Sequence, residues 1–505
     1  MLTFVSNVLS QGTKFVTAFL ITPILINGLG KELYGIWGML GQMAGYFSLS
    51  DLRPAGTMKF LLSIKQYHPD IDEKKRLIGA TLILWVISLP LMILAGLVLV
   101  HFSPLFIKTD NSTTVQVALG IVIFGVVLER LMSIPANILR AQNLEYKGMG
   151  LSAMSVLLSG ALSAFAVLQG WGLIGLAGMS LLGMVISNLI RMRVAMNAVP
   201  WIGIQKPMRD EFKSFIRTST WLTFSALSFL LLTSTDILLI GMLLGPSASA
   251  VYLTTSTVLR STTDPLSMLF SSANAGIAGL CGRGEWERVE KLRREMYVFA
   301  IATMTIIGTG VLSLNQAFLK LWVGPGLFGG SLLNFLLVLG FLLIVLVRID
   351  NTIVSSILLF REQAGVFFVG GVASVLVGIL TMPTLGIAGM ALGLIMGQAI
   401  LLMFSWRLLR KHIRFNVMNY VYDIGRPLLV GMALFTVGAL LGTRIIVDTW
   451  QSFILWAGCI GVVSVMMMWF VGLSKTSREN IWERLLASGL DRFFGSRDRL
   501  DNIPS

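Results

Sequence analysis

Apolar runs of about twenty residues, the length that crosses a bilayer as a helix, recur along the whole chain and constrain it more than any other feature. They fall near 2–28, 36–62, 78–100, 115–137, 150–169, 175–190, 218–243, 249–276, 296–318, 332–360, 364–381, 386–406, 427–443 and 453–473, fourteen in all. Charged residues make up only 13% of the 505 positions, about half the share of a water-soluble domain. The fold class this predicts is an all-α polytopic membrane protein of about 14 transmembrane helices. The first run lacks a basic start and a small-residue cleavage site, and Lys14 interrupts it, so it reads as a true span rather than a signal peptide.

The net charge of +14 would suit nucleic acid, but its placement argues for topology instead. Alternate connections hold 29 Lys and Arg residues, among them Lys74, Lys75, Arg76, Arg191, Arg293, Arg294 and Arg410. The other connections hold Lys31, Lys108, Lys320 and Arg444 only. By the positive-inside rule the first set is cytoplasmic, which puts both termini in the cytoplasm. No nucleic-acid partner is expected; the bilayer is the partner. Cys281 and Cys459 stand far apart, and His68, His101 and His412 are scattered, so neither a disulfide framework, a metal site nor a cofactor is expected.

The chain also repeats itself. Gly-Leu-Ala-Gly-Met-Ser-Leu at 175–181 returns as Gly-Ile-Ala-Gly-Met-Ala-Leu at 386–392. Leu29-Gly30 followed by Tyr34 echoes Leu244-Gly245 followed by Tyr252. Asp51 and Pro54 echo Asp264 and Pro265, and Arg130 echoes Arg348. This predicts two six-helix halves, 1–200 and 201–412, related by a pseudo-twofold axis along the membrane normal, with helices 13 and 14 at 413–475 as an appendix. In the tail at 476–505, Ile481, Trp482, Leu485, Leu486, Leu490, Phe493 and Phe494 recur at helical spacing. They predict an amphipathic helix on the membrane surface or on the end of the bundle.

Several ionisable residues fall inside the spans: Lys14; Asp51, Arg53 and Lys59; Glu129 and Arg130; Asp236; Arg260 and Asp264; Arg348 and Asp350. Each is expensive at membrane depth, and such residues usually face a bundle interior or a wet cavity. They lie on matched spans of the two halves, which predicts a cavity between the halves. Lys14, Arg53, Arg260 and Arg348 are the candidate substrate contacts. Asp51, Asp236, Asp264 and Asp350 are candidate coupling or structural acids. Arg260 and Asp264 are spaced i,i+4 and can pair. Glu129 and Arg130 are adjacent, so each is expected to need another partner. Lys59 can snorkel to the surface. Pro23 and Pro54 are expected to kink their helices.

The segment Pro23, Leu29-Gly30, Tyr34-Gly35-Ile36-Trp37 resembles the opening of bacterial polysaccharide flippases, the O-antigen and exopolysaccharide repeat-unit exporters of the multidrug/oligosaccharidyl-lipid/polysaccharide superfamily. Phe47-Ser48-Leu49-Ser50-Asp51-Leu52 is similar to that family's second span, where Arg53-Pro54 stands in place of the usual glycine. The blocks at 175 and 386 are similar to its sixth and twelfth spans. The resemblance implies a non-enzymatic transporter of the bacterial inner membrane. It would move polyprenyl-pyrophosphate-linked oligosaccharides outward by alternating access, beside a polysaccharide polymerase complex, for lipopolysaccharide or exopolysaccharide synthesis. Lys14, Arg53 and Arg260, with Arg348, would hold the pyrophosphate, since guanidinium and ammonium groups bind phosphate. A cation-coupled multidrug exporter of the same superfamily is the alternative, using Asp236 and Asp350. Lys14 and Arg348 would repel a cationic drug. A lipid II flippase is a third reading. A membrane glycosyltransferase would want paired carboxylates or metal ligands on a sizeable outer loop, and the short connections carry none.

Overall fold

A computed structural model describes residues 2–65, 70–142, 144, 149–357, 359–411, 413 and 417–485. His68, Lys147, His412, Arg414 and the tail beyond 485 lie outside these. Every regular element described is helical. The first half holds α1 (Leu2–Phe47), α2 (Pro54–Ile64), α3 (Ile71–Phe106), α4 (Ser112–Met132), α5 (Ile134–Ala141), α6 (Met149–Leu168) and α7 (Gly172–Ala198). The second holds α8 (Arg209–Thr233), α9 (Thr235–Leu244), α10 (Pro246–Ser272), α11 (Asn274–Gly282), α12 (Trp286–Val323), α13 (Ser331–Ser356), α14 (Phe360–Leu385) and α15 (Ile387–Leu409). Then come α16 (Val417–Gly442), α17 (Trp450–Met467), a π-helical turn over Met468–Gly472 and α18 (Lys475–Leu485).

Among the described residues, 11 helices are long and apolar enough to cross a membrane. The difference from the expected fourteen has a local cause in each case. The first two spans run together in α1, whose one non-helical residue is Gly30. The apolar part of α6 is short, Ala153–Leu168. Helix α10 carries Arg260 and Asp264 and falls below the apolar threshold. Pro23 does not break α1; the chain stays helical through it. The second span breaks just before Pro54, as a proline there predicts, and Pro54 starts α2 at its first position, where its missing N–H is not needed.

The repeat is visible in backbone and packing alike. Gly30 (φ 80, ψ 167) and Gly245 (φ 92, ψ 159) share one conformation that only glycine adopts readily, and each turns the chain between consecutive spans. Helix α1 packs on α6 as α8 packs on α14. The pairs α6–α7, α4–α7 and α3–α4 recur as α14–α15, α13–α15 and α12–α13. The duplicated Gly-x-Ala-Gly-Met block does not start its helix identically in the two copies. Helix α7 begins at Gly172, three residues before its block, whereas Gly386 caps α15. The appendix helices α16 and α17 both pack on α12.

The second spans of the two halves meet closely at the end that carries few basic residues. A Cβ placed on Gly35 would enter the carbonyl of Pro246, and one on Gly241 would strike Met39. Tyr46 and Thr235 share a hydrogen bond of 2.5 Å across this seam, and Trp322 Nε1 donates to the Phe19 carbonyl at 2.7 Å. At the basic end Ser219 Oγ donates to the Leu52 carbonyl at 2.5 Å, and Arg76 Nε reaches both carboxylate oxygens of Glu211 at 3.1 Å. The halves are therefore tied at both ends of this seam.

Breaks in the spans gather toward the basic end at Ser133, Ala273 and the 48–53 stretch, while the break at Ser234 lies ten residues from the sparsely charged end of its span. The 48–53 stretch is the most strained, with Leu52 (φ 60) and Arg53 (φ 52) both left-handed.

Gly30→Ala and Gly245→Ala should each lower stability by about 1–3 kcal/mol, because alanine is forced into a sparsely populated backbone region. Gly41→Ala, inside α1 with nothing near its Cβ, should be neutral or stabilising. Thermal unfolding in detergent separates these outcomes.

Candidate substrate cavity and the buried charge pairs

A cavity of about 500 Å³ lies inside the first half, within the range of ligand pockets. Its walls come from α1, α4, α6 and α7 and include Lys14, Trp37, Glu129, Ser159, Asn188 and Arg191. A space between the halves, as expected, is a second cavity of about 570 Å³ walled by Tyr46, Leu52 and Leu99 of the first half and Thr220 and Phe224 of α8, whereas this cavity belongs to the first half alone. The helical phase explains the wall. Ser155, Ser159 and Ser163 are spaced i,i+4,i+8 on α6 and share one face. Lys14 is exposed, and no carboxylate among the described residues forms an ion pair with it.

Matching glycines pack alike in the two halves. A Cβ on Gly160 of α6 would meet Ile21 and Thr17 of α1, and one on Gly371 of α14 would meet Leu231 of α8. Such glycines let the helices close on one another.

The other expected cations are already engaged. Arg260 Nη2 donates to Asp236 Oδ2 at 2.9 Å, Nε donates to Ser256 Oγ at 3.1 Å, and the guanidinium lies against Tyr252 and Phe341. Arg260 therefore pairs across helices with Asp236, not with Asp264 on its own helix. Asp264 stands within electrostatic reach of both Arg260 and Arg348, and the Arg348 guanidinium covers the Phe229 ring at 5.1 Å. In the first half Asp51 stands in the same relation to Arg130. The two pairs occupy matching positions in the repeat. Asp51 is 1% exposed and accepts from the Arg53 backbone N–H at 2.8 Å, which pins the strained turn. Glu129 and Arg130 do meet, contrary to expectation, through a long contact of 3.5 Å.

Asp350 is fully buried, and its partner is Arg293, itself 3% exposed. Nε and Nη2 donate to the two carboxylate oxygens at 2.6 and 2.9 Å. Tyr297 and Tyr420 accept the remaining N–H groups at 3.0 and 2.7 Å. The sequence places Arg293 in a connection because the apolar run begins at 296. The signal was present, since Arg293, Tyr297, Ala300 and Met304 share one helical face and all are buried. Arg191 was missed for the same reason: α7 runs on past it to Ala198.

Among the described residues no cluster of His, Cys, Asp or Glu could hold a metal. Both cysteines are free. Helix α18 forms as expected as far as Leu485 and docks through Asn480, whose amide donates to Glu295 at 3.2 Å. Leu486, Leu490, Phe493 and Phe494 lie outside the described residues.

Comparison with known proteins now decides the family. The polysaccharide biosynthesis protein family matches residues 3–274, slightly more than half of the chain. The chain belongs to that family. No curated protein matches the sequence. Solved structures of other transporters align with the chain along most of its length. The lipid II flippase MurJ in an inward closed conformation aligns with TM-score 0.67 at 13% identity, over 96% of this chain and 100% of that one. An inward-facing multidrug resistance MATE family transporter of the MOP superfamily aligns with TM-score 0.59 at 16% identity, over 79% and 94%. A MOP superfamily transporter from Pyrococcus furiosus, described as having a binding pocket of reverse polarity, aligns with TM-score 0.57 at 15% identity, over 81% and 94%. At these identities the likeness shows the fold, which the polysaccharide family shares with these transporters.

Removing one partner of the Arg293–Asp350 pair, as in Asp350→Asn or Arg293→Met, should destabilise the protein by about 3–5 kcal/mol. Replacing both, Arg293→Met with Asp350→Leu, should recover most of that loss. A double-mutant cycle read by thermal unfolding measures the coupling.

Proposed function

We infer that this protein is a flippase that carries polyprenyl-pyrophosphate-linked oligosaccharide repeat units from the cytoplasmic to the outer leaflet of a bacterial inner membrane. The observation that carries the reading is the cavity of the first half. Lys14 and Arg191 stand at one end of a wall of hydroxyl and amide groups, in a chain of the polysaccharide biosynthesis family. Cations hold a pyrophosphate, and hydroxyl-rich walls suit sugars. The basic connections set this end of the bundle, and both termini, in the cytoplasm, where such substrates are assembled.

A second space supports a lipid-linked substrate. An apolar cavity of about 310 Å³ between α1, α10, α12 and α17 is lined by Phe15, Phe318, Trp322 and Phe453. Its walls would accept an isoprenoid chain while the head enters the first half. Movement of the halves about the seam of Gly35, Met39 and Gly241 would expose the head to each side in turn. Arg53, beside the break in the second span, and Arg348 would line the path between states. The polymerase that consumes the flipped unit is the expected neighbour.

The buried pairs speak against the multidrug reading. Asp236 is neutralised by Arg260 and Asp350 by Arg293, which leaves neither acid to attract a cationic drug.

In a strain deleted for this gene, mass spectrometry should find the complete repeat unit accumulating on its lipid while surface polysaccharide is lost. A normal lipid and surface profile, with new sensitivity to cationic dyes, would replace this reading with drug export. Lys14→Glu should fail to complement the deletion although the protein reaches the membrane, and Lys14→Arg should complement it.

A further inference from the structure

Two hydroxyls in the wall of the first-half cavity lack partners. Thr17 is 9% exposed and Ser187 is 6% exposed. Neither Thr17 Oγ1 nor Ser187 Oγ finds a hydrogen-bond partner among the described residues, and both residues line the cavity. A buried hydroxyl without a partner is a standing cost, removed when a polar ligand or water reaches it. The nearby serines are arranged differently. Ser155 donates to the Leu151 carbonyl at 2.6 Å and Ser163 to the Ser159 carbonyl at 2.7 Å. Their protons are used within α6, so both act as acceptors; Ser163 already stands 3.3 Å from the Ser180 hydroxyl, and Ser155 turns its lone pairs to the cavity. A ligand that satisfies this wall must both donate and accept many hydrogen bonds, which is what a polyhydroxylated sugar does.

Depth orders these groups. At a rise of about 1.5 Å per residue from the sparsely charged end of each helix, Lys14, Glu129 and Arg191 lie about 24–28 Å along. By the same rise Thr17 and Ser187 lie at about 20–22 Å and Ser163 at about 8 Å. A hydrocarbon core of about 30 Å puts the charged group near the basic membrane interface, level with lipid headgroups, and the hydroxyls progressively deeper.

We propose that the interior of the first half is a carbohydrate subsite, in which Thr17 and Ser187 hold the sugar nearest the pyrophosphate while Lys14 and Arg191 hold the phosphates. The inference rests on the flippase reading and extends it. The glycan enters first and deepest, inside one half rather than between two. The Trp37 ring supplies an apolar face, and Glu129 accepts from sugar hydroxyls. Because every lining residue belongs to the first half, the glycan stays with the first half as the halves move.

The test uses the full chain in lipid nanodiscs and two probes. One is the lipid-linked repeat unit extracted from the deletion strain; the other is undecaprenyl pyrophosphate without sugar. The wild type is expected to bind the glycosylated lipid more tightly. Thr17→Val and Ser187→Ala keep the shape of the wall and should each reduce that affinity by about three- to tenfold, the range of a lost hydrogen bond. Their affinity for the sugar-free lipid should match the wild type, which reports an intact fold. If the variants keep the preference for the glycosylated lipid, or if the wild type shows none, the carbohydrate subsite is wrong and the flippase reading stands. If the variants lose the sugar-free lipid as well, the two hydroxyls act through the fold and the subsite is again wrong. If the wild type binds neither lipid, the flippase reading itself falls.

Discussion

A charge carried into the apolar depth of a membrane must be neutralised by a partner or kept wet, and the architecture of this protein follows from which solution each charge takes. Arg293 and Asp350 take the first. Their two-pronged contact, closed by Tyr297 and Tyr420, joins α12, α13 and α16, and so fastens the appendix to the second half. Arg260 and Asp236 do the same between α10 and α9. Lys14 takes the second solution, in a cavity lined by hydroxyls. In the second half α12 and α13 are the most buried spans. The first half buries a charge as well, Asp51, within electrostatic reach of Arg130.

Duplication explains the frame of both halves. Gly30 and Gly245 make the same turn, and the helix pairings recur in the same order. Asp51 with Arg130 and Asp264 with Arg348 show that the repeat extends to a charge relation between helices. What differs is the lining: serines, threonines and Lys14 face the first-half cavity. The seam between them depends on Gly35 and Gly241, where no side chain larger than hydrogen fits beside Pro246 and Met39.

The backbone at Leu52 and Arg53 stores strain at a cost of order 1–2 kcal/mol per left-handed residue. It sits where the second span breaks, next to Ser219 from the opposite half. A side chain at Arg53, where glycine would relieve the turn, keeps a cation at the junction and the backbone tense.

The sequence by itself determined the elements, the repeat and the sign of the charge at each end. Apolar runs of spanning length must be helices because membranes offer no other partner for the backbone. Leu29-Gly30 and Leu244-Gly245 marked matched turns because only glycine adopts that conformation cheaply, and the basic connections separated the two ends. Span ends were less legible, since helices such as α7 and α12 continue past the apolar run into charged turns, and Arg191 and Arg293 were hidden there. Which charges pair, and where the cavities lie, is settled by tertiary packing. Asp236 finds Arg260 on the following helix, and Asp350 finds Arg293 57 residues away. Such partners are set by helix packing, and nothing in local spacing records how two helices are rotated against each other. The cavity has the same origin, because an empty space is a property of several helices together and of no single segment.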